Sequence, residues 1–216
     1  MMNKSLAPQT AAIFDAITRM ESIKPYVLVG GTALSLQLGT RQSEDLDFMS
    51  WRTSKNEKRE VDWPKIQKEL EGISDVDNVD ILDLDHVEFR VAGVKLSFYA
   101  SPNYSPIGSA AMESINNMRL APPAAIGAMK MEVMLRRSKF RDYYDIYSLL
   151  RAGYDLQEMI DGALRYSGHR LKSKNLIAML TRSERFGADS NFRSLAPVYD
   201  VSAAEIERYI ISLLGR

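Results

Sequence analysis

The stretch from Tyr26 to Phe48 constrains this chain most, because its period changes twice over a short distance. Tyr26 to Val29 is a short apolar run of the kind that buried strands use. Gly30-Gly31 permits a tight turn and lets another molecule approach the backbone closely. Thr32 is placed to cap a helix whose apolar body is Ala33, Leu34, Leu36 and Leu38, and Gly39 ends that helix. A polar loop follows, Thr40 to Glu44. Asp45-Leu46-Asp47-Phe48 then alternates with period two, so on a strand Asp45 and Asp47 share one face while Leu46 and Phe48 share the other.

Two carboxylates on one strand face suit Mg²⁺, which prefers oxygen ligands and keeps part of its shell for substrate phosphates. The N-terminus of the preceding helix, with its free N–H groups, suits the phosphates themselves. A surface strand beside an ordinary glycine turn would contain the same residue types. The two features occurring together, at this spacing, point to the chemistry.

Gly30-Gly31-Thr32 followed by Arg41-x-Ser43-x-Asp45-x-Asp47 resembles motif I of the nucleotidyltransferase superfamily, above all its AbiEii/AbiGii-type toxin branch. A second block resembles the same branch: Met129-Lys130-Met131-Glu132, then Arg141-Asp142-Tyr143-Tyr144-Asp145-Ile146. The resemblance implies an α+β fold, with an N-terminal nucleotidyltransferase-type mixed sheet flanked by helices (1–109) followed by a C-terminal helical bundle (110–216). It implies transfer of an NMP from an NTP, with Mg²⁺ or Mn²⁺, to an acceptor such as RNA, in particular the 3′ end of tRNA. The enzyme would be the toxin of a toxin–antitoxin or phage-defence pair, with a cognate antitoxin protein as a further partner. By the same resemblance Asp45 and Asp47 hold metal, and Gly30, Gly31 and Thr32 seat the triphosphate. Arg41 and Ser43 support the loop and the phosphates, Lys130 neutralises triphosphate charge, and Asp142 or Asp145 orients Lys130 or the acceptor.

Nucleotidyltransferases often carry a third carboxylate on a later strand. The matching strand here, Val94 to Tyr99, has no acid, and the nearest candidate is Glu88 on its hairpin partner. The motif I acids and later residues then suffice, or the chain is a non-catalytic nucleotide- or partner-binding relative. A small-molecule or protein acceptor is the other alternative.

Composition closes off several classes. Lys and Arg number 28, as do Asp and Glu, so formal charge is zero and a nucleic-acid partner would need a local basic patch. There is no cysteine, and the two histidines, His86 and His169, are far apart, which leaves no thiolate zinc site or His-dependent triad. No apolar run approaches the ~20 residues of a membrane span, and the N-terminus lacks a secretory apolar segment. A cytoplasmic protein is expected.

Elsewhere, residues 5–24 read as an amphipathic helix, and Trp51 to Asp62 as a charged mobile loop. A short helix follows Asp62, with Ile66 and Leu70 inward. Val79 to Leu84 reads as a strand, and Val87–Val91 and Val94–Tyr99 as a hairpin about Ala92-Gly93. Residues 101–109 read as a linker, and Met118 to Leu120 as a last edge strand. Beyond Pro122 the period is helical. Lys130 falls on the flank of an apolar face, Arg136, Arg137, Lys139 and Arg141 cluster, and His169 to Lys174 forms a small basic turn. Asp155-Leu-Gln-Glu158 and Ser202-Ala-Ala-Glu205 are capping-box patterns.

Overall fold

Alternation of apolar and polar side chains along its strands gives the sheet one dry face and one wet face. The computed structural model describes residues 4–103, 105, 107, 113–168, 170–187 and 189–215. The expected junction at 109/110, part of the 101–109 linker and His169 of the basic turn lie outside these. The chain divides into two compact units, Met1–Leu36 with Gln42–Pro122, and Gln37–Arg41 with Pro123–Arg216.

The first unit contains the sheet. Its strands are β1 (Val27–Val29), β2 (Leu46–Trp51), β3 (Val76–Asp83), β4 (His86–Val91), β5 (Val94–Ser101), β6 (Ser114–Ile115) and β7 (Met118–Leu120). They lie in the order β3-β4-β5-β2-β1-β7-β6. β2 pairs parallel with β5 and β1 parallel with β7, while the remaining pairs are antiparallel, so the sheet is mixed. The helices are α1 (Pro8–Thr18), α2 (Gly30–Leu38) and α3 (Trp63–Glu71). Leu46, Phe48, Val87, Phe89, Leu96 and Phe98 are buried, and the Phe48 and Phe98 rings stack at 4.8 Å. Each such side chain contributes about 1.5–3 kcal/mol on leaving water. The opposite face carries Asp47, Glu88 and Ser97, all half-buried, as sheets wet on one side do. Ala92 and Gly93 both have positive φ (49° and 75°), the primed turn that a two-residue hairpin requires.

Three sequence expectations change. Met118–Leu120 is not the edge: β7 is flanked by β1 and β6, a two-residue strand too short to read from periodicity. Trp51 belongs to β2 and is buried, so the polar loop starts one residue later. The first helix is shorter than 5–24, because Pro8 lies in its first turn and the chain turns at Ser22–Pro25.

The second unit contains α4 (Pro123–Val133), α5 (Phe140–Arg151), α6 (Leu156–Tyr166), α7 (Ser173–Leu180) and α8 (Ala203–Leu214). Asp155 caps α6 by accepting from the Glu158 N–H at 2.8 Å, and Ser202 with Glu205 forms a reciprocal box on α8. A Cβ on Gly127 of α4 would lie 2.7 Å from the Met159 sulfur of α6, so glycine sets the approach of these helices. Tyr144, Phe192 and Leu195 form a core cluster. The Tyr144 hydroxyl donates to the Thr40 carbonyl (2.9 Å) and accepts from the Tyr199 N–H (3.0 Å), which fastens residues 37–41 to the helices. Among the described residues no helix is long and apolar enough to cross a membrane.

Candidate functional site

The motif I residues come together where β1 runs into α2. α2 starts at Gly30 itself, so Thr32 lies inside the helix and is not its cap. Its buried hydroxyl donates to the Asp45 carbonyl and shares a 2.8 Å hydrogen bond with the Ser43 hydroxyl. That bond uses the Asp45 carbonyl, and the regular strand begins one residue later, at Leu46. Gly31 is half-buried as the second residue of α2, and Asp45 and Asp47 are half-buried.

Gly30 has φ +70°, in the region that side chains resist. A Cβ there would lie 2.5 Å from Asp47 Oδ2, so the carboxylate occupies the space a larger residue would fill. β1 and β2 bring this about by pairing Val29 with Asp47. Gly30→Ala should therefore cost about 1–2 kcal/mol in backbone strain alone and push the Asp47 carboxylate aside. We expect a lower melting temperature and at least about tenfold slower nucleotidyl transfer, on the scale of a 1 Å misplacement. A variant with wild-type transfer would show that the Asp47 position is unimportant.

The donor set fits a hard divalent ion. It offers two half-exposed carboxylates and no soft ligand, and among the described residues no group of three or more His, Cys, Asp or Glu forms a protein cage. An ion held by two carboxylates with waters and substrate oxygens is the arrangement Mg²⁺ favours.

No acid stands beside Asp47 on β5. Ser97 pairs with Asp47, and Glu88 pairs with Ser97, so the three share one row on the wet face. Glu88 is held by Lys95 at 3.2 Å, and His86 Nε2 lies 3.6 Å from its carboxylate. The nearest acid along this row thus lies two strands from Asp47.

The second block builds a separate cluster, inside the helical unit. Lys130 is not on a flank: it is 7% exposed, with Nζ 2.6 Å from Asp142 and 2.9 Å from Asp145. Both aspartates are 1% exposed on α5. Arg41 grips Asp145 through two bonds of 2.8 and 2.9 Å, and Arg137 grips Asp142 through two of 2.8 and 3.0 Å. Arg141, beside them in sequence, pairs with Asp189 instead. Arg137 is the member that sequence reasoning missed as a partner of Asp142. Its spacing, five residues before Asp142, was the available signal.

Three cations against two anions leave this cluster with one positive charge in excess. Burial works against every charge in it, but the opposite charges prevail. Lys130 is held above its ordinary value despite desolvation, by Asp145 and then Asp142, and Arg41 is raised in the same way by Asp145. Asp145 is held low despite burial, by Arg41 and Lys130. Asp142 is pulled from 3.8 to about 2, against desolvation, by Lys130 and Arg137.

A carboxylate with a depressed folded pKa stabilises the fold fully above its unfolded pKa and loses that contribution as pH falls through the folded one. For Asp142 the contribution is about 2 kcal/mol, lost between about pH 4 and pH 2. Urea unfolding of wild type should show this fall, and Asp142→Asn, already weaker at neutral pH, should show a shallower one. Parallel pH curves would contradict the ion-pair account.

A family profile described as Nucleotidyl transferase AbiEii toxin, Type IV TA system, matches residues 12–207. A protein of Aquifex aeolicus (strain VF5), named only as uncharacterized, is 24% identical over 157 residues, spanning 72% of this chain and 73% of that protein. Two solved structures share the fold. One is a candidate nucleotidyltransferase from H. pylori, with a TM-score of 0.58, 19% identity and 96% of each chain covered. The other is the nucleotidyltransferase toxin MenT4 of Mycobacterium tuberculosis H37Rv, with a TM-score of 0.55, 17% identity, and 95% of this chain and 85% of that chain covered.

Proposed function

Because the chain belongs to the AbiEii nucleotidyltransferase toxin family of type IV toxin–antitoxin systems, and is a nucleotidyltransferase, we propose that it moves an NMP from an Mg²⁺-bound NTP onto an RNA 3′ end, with tRNA as the first acceptor to test. The observation that carries the metal and NTP reading is the seating of Asp47 over Gly30 at the start of α2. An antitoxin protein would be its cognate partner, and the cytoplasm its place of action.

Asp45 and Asp47 would hold the ion, and bound Mg²⁺ would supply charge stabilisation to the phosphate oxygens at which bonds form and break. Gly30 and Gly31 would present the N-terminal amides of α2 to triphosphate oxygens, where the helix dipole favours negative charge. Thr32 and Ser43 fix the backbone of Asp45. Arg41 would act at one remove, since its guanidinium is committed to Asp145. Lys130, the proposed charge-neutralising residue, would like Arg41 act at one remove, since its ammonium is committed to Asp142 and Asp145. An acceptor hydroxyl would attack the α-phosphorus in line, forming one P–O bond as the bond to pyrophosphate breaks, and positioning with electrostatics would supply most of the rate.

Charge distribution supports a polyanionic acceptor. Zero net charge hides an asymmetry: the helical unit has 16 Lys and Arg against 11 Asp and Glu, a net of +5, while the sheet unit has 12 against 17, a net of −5. A unit with that excess attracts a nucleic-acid backbone. The test is incubation with each α-labelled NTP, Mg²⁺ and total cellular RNA. Label on RNA 3′ ends is the expected result. Label on a protein or small molecule would replace RNA as the acceptor.

A further inference from the structure

The outer edge of the sheet combines features that a merely solvated edge does not need. β3 is the terminal strand at one end of the order, and among the described residues it hydrogen-bonds in the sheet only to β4. It has eight residues, long for an edge. Seven large hydrophobic side chains are exposed among the described residues, and three of them, Ile81, Leu82 and Leu84 (51%, 60% and 65%), fall within four positions here. Ile81 and Leu82 are consecutive residues at the ladder irregularity between Ile81 and Asp83, so the exposed apolar surface is concentrated there. The segment from Asp75 to Asp85 has five aspartates and no lysine or arginine. Only Asp85 has a cation partner among the described residues, Arg59. Asp77, Asp80 and Asp83 accept from the Gly93 N–H, the Asn78 amide and the Leu84 N–H.

We propose that β3 is a docking strand for an extended segment of a partner protein, a segment that alternates apolar residues with Lys or Arg and adds to the sheet as an eighth strand. The edge supplies main-chain hydrogen bonds, Ile81, Leu82 and Leu84 supply apolar contact, and the aspartates select the charge. A second copy of this chain does not fit. Pairing β3 with itself would bring three further aspartates against these three with no cation in the segment to offset them. The ladder irregularities at Val76/Asn78 and Ile81/Asp83 work in the same direction, since irregular edges discourage unselective pairing. A depression of about 400 Å³ lined by Gln67, Glu71, Ser74 and Val76 adjoins the start of the strand and offers room for the end of such a segment.

The test uses the full chain and a peptide of about ten residues alternating lysine with valine, together with a twin carrying glutamate for lysine. The lysine peptide should bind, more weakly as salt rises, and should slow hydrogen exchange at amides within residues 76–83. Asp80→Lys combined with Leu82→Lys should weaken that binding at least about tenfold and leave nucleotidyl transfer unchanged. Equal binding of the glutamate twin, undiminished binding by the double variant, or protection at other amides would overturn the proposal. So would dimerisation of the free chain with protection at 76–83, which would make a second copy the occupant.

Discussion

Asp47→Asn should reduce nucleotidyl transfer by about 10³-fold or more while the protein melts within a few degrees of wild type. The substitution keeps the shape of the side chain and removes its charge. The residue is half-buried on the wet face of the sheet, with its carboxylate over Gly30, so little packing is lost. Under the proposed metal role, what disappears is one of the two carboxylates that would hold the ion beside the start of α2. Metal stabilisation of phosphoryl transfer amounts to several kcal/mol, and each 1.36 kcal/mol is tenfold in rate. Asp45→Asn should act in the same direction. Transfer within about threefold of wild type in both variants, assayed with labelled NTP, would remove these acids from the chemistry.

Asp145→Ala should cost about 3–5 kcal/mol of stability, the scale on which breaking a buried ion pair leaves charge uncompensated. Asp145 is 1% exposed and is the shared anion of Arg41 and Lys130. Its removal takes from Arg41 the carboxylate that it grips and leaves Lys130 with Asp142, so the cluster's excess positive charge rises in a buried place. For a chain of this size each kcal/mol moves the melting temperature by about 2–4 °C, so a drop of at least about 6 °C is expected in thermal melts. Replacing all three residues with apolar ones of similar volume should recover much of that loss, because the penalty arises from unpaired charge and not from missing volume. A variant that melts like wild type would show that the cluster does not hold the helical unit together.

The residues around Asp47 were legible because their signals are local. Period-two alternation put Leu46 and Phe48 in the core and left Asp47 on the wet side, and paired glycines marked the start of α2. Tertiary demands hid the rest. An ammonium on an apolar helix reads as a flank position, yet Lys130 points inward because Asp142 and Asp145 meet it. The partner that completes this network, Arg41, lies 104 residues before Asp145, and periodicity cannot report a contact over that separation. Thr32 read as a cap because its residue type favours caps, but the turn at Gly30 starts the helix earlier and frees the hydroxyl to hold Asp45. The row joining Asp47, Ser97 and Glu88 depends on a parallel register between β2 and β5 that no local pattern encodes. The charge split between the units was present in composition, and assigning residues 37–41 to the helices adds to it only the charge of Arg41.

The most direct test of the central claim is calorimetric titration of wild type and Asp47→Asn with a non-hydrolysable NTP analogue, with and without Mg²⁺. Wild type should bind the analogue at least about tenfold more tightly with the ion present, and the variant should lose that dependence. Equal dependence on Mg²⁺ in the two proteins would contradict the assignment of the β2 carboxylates to the metal.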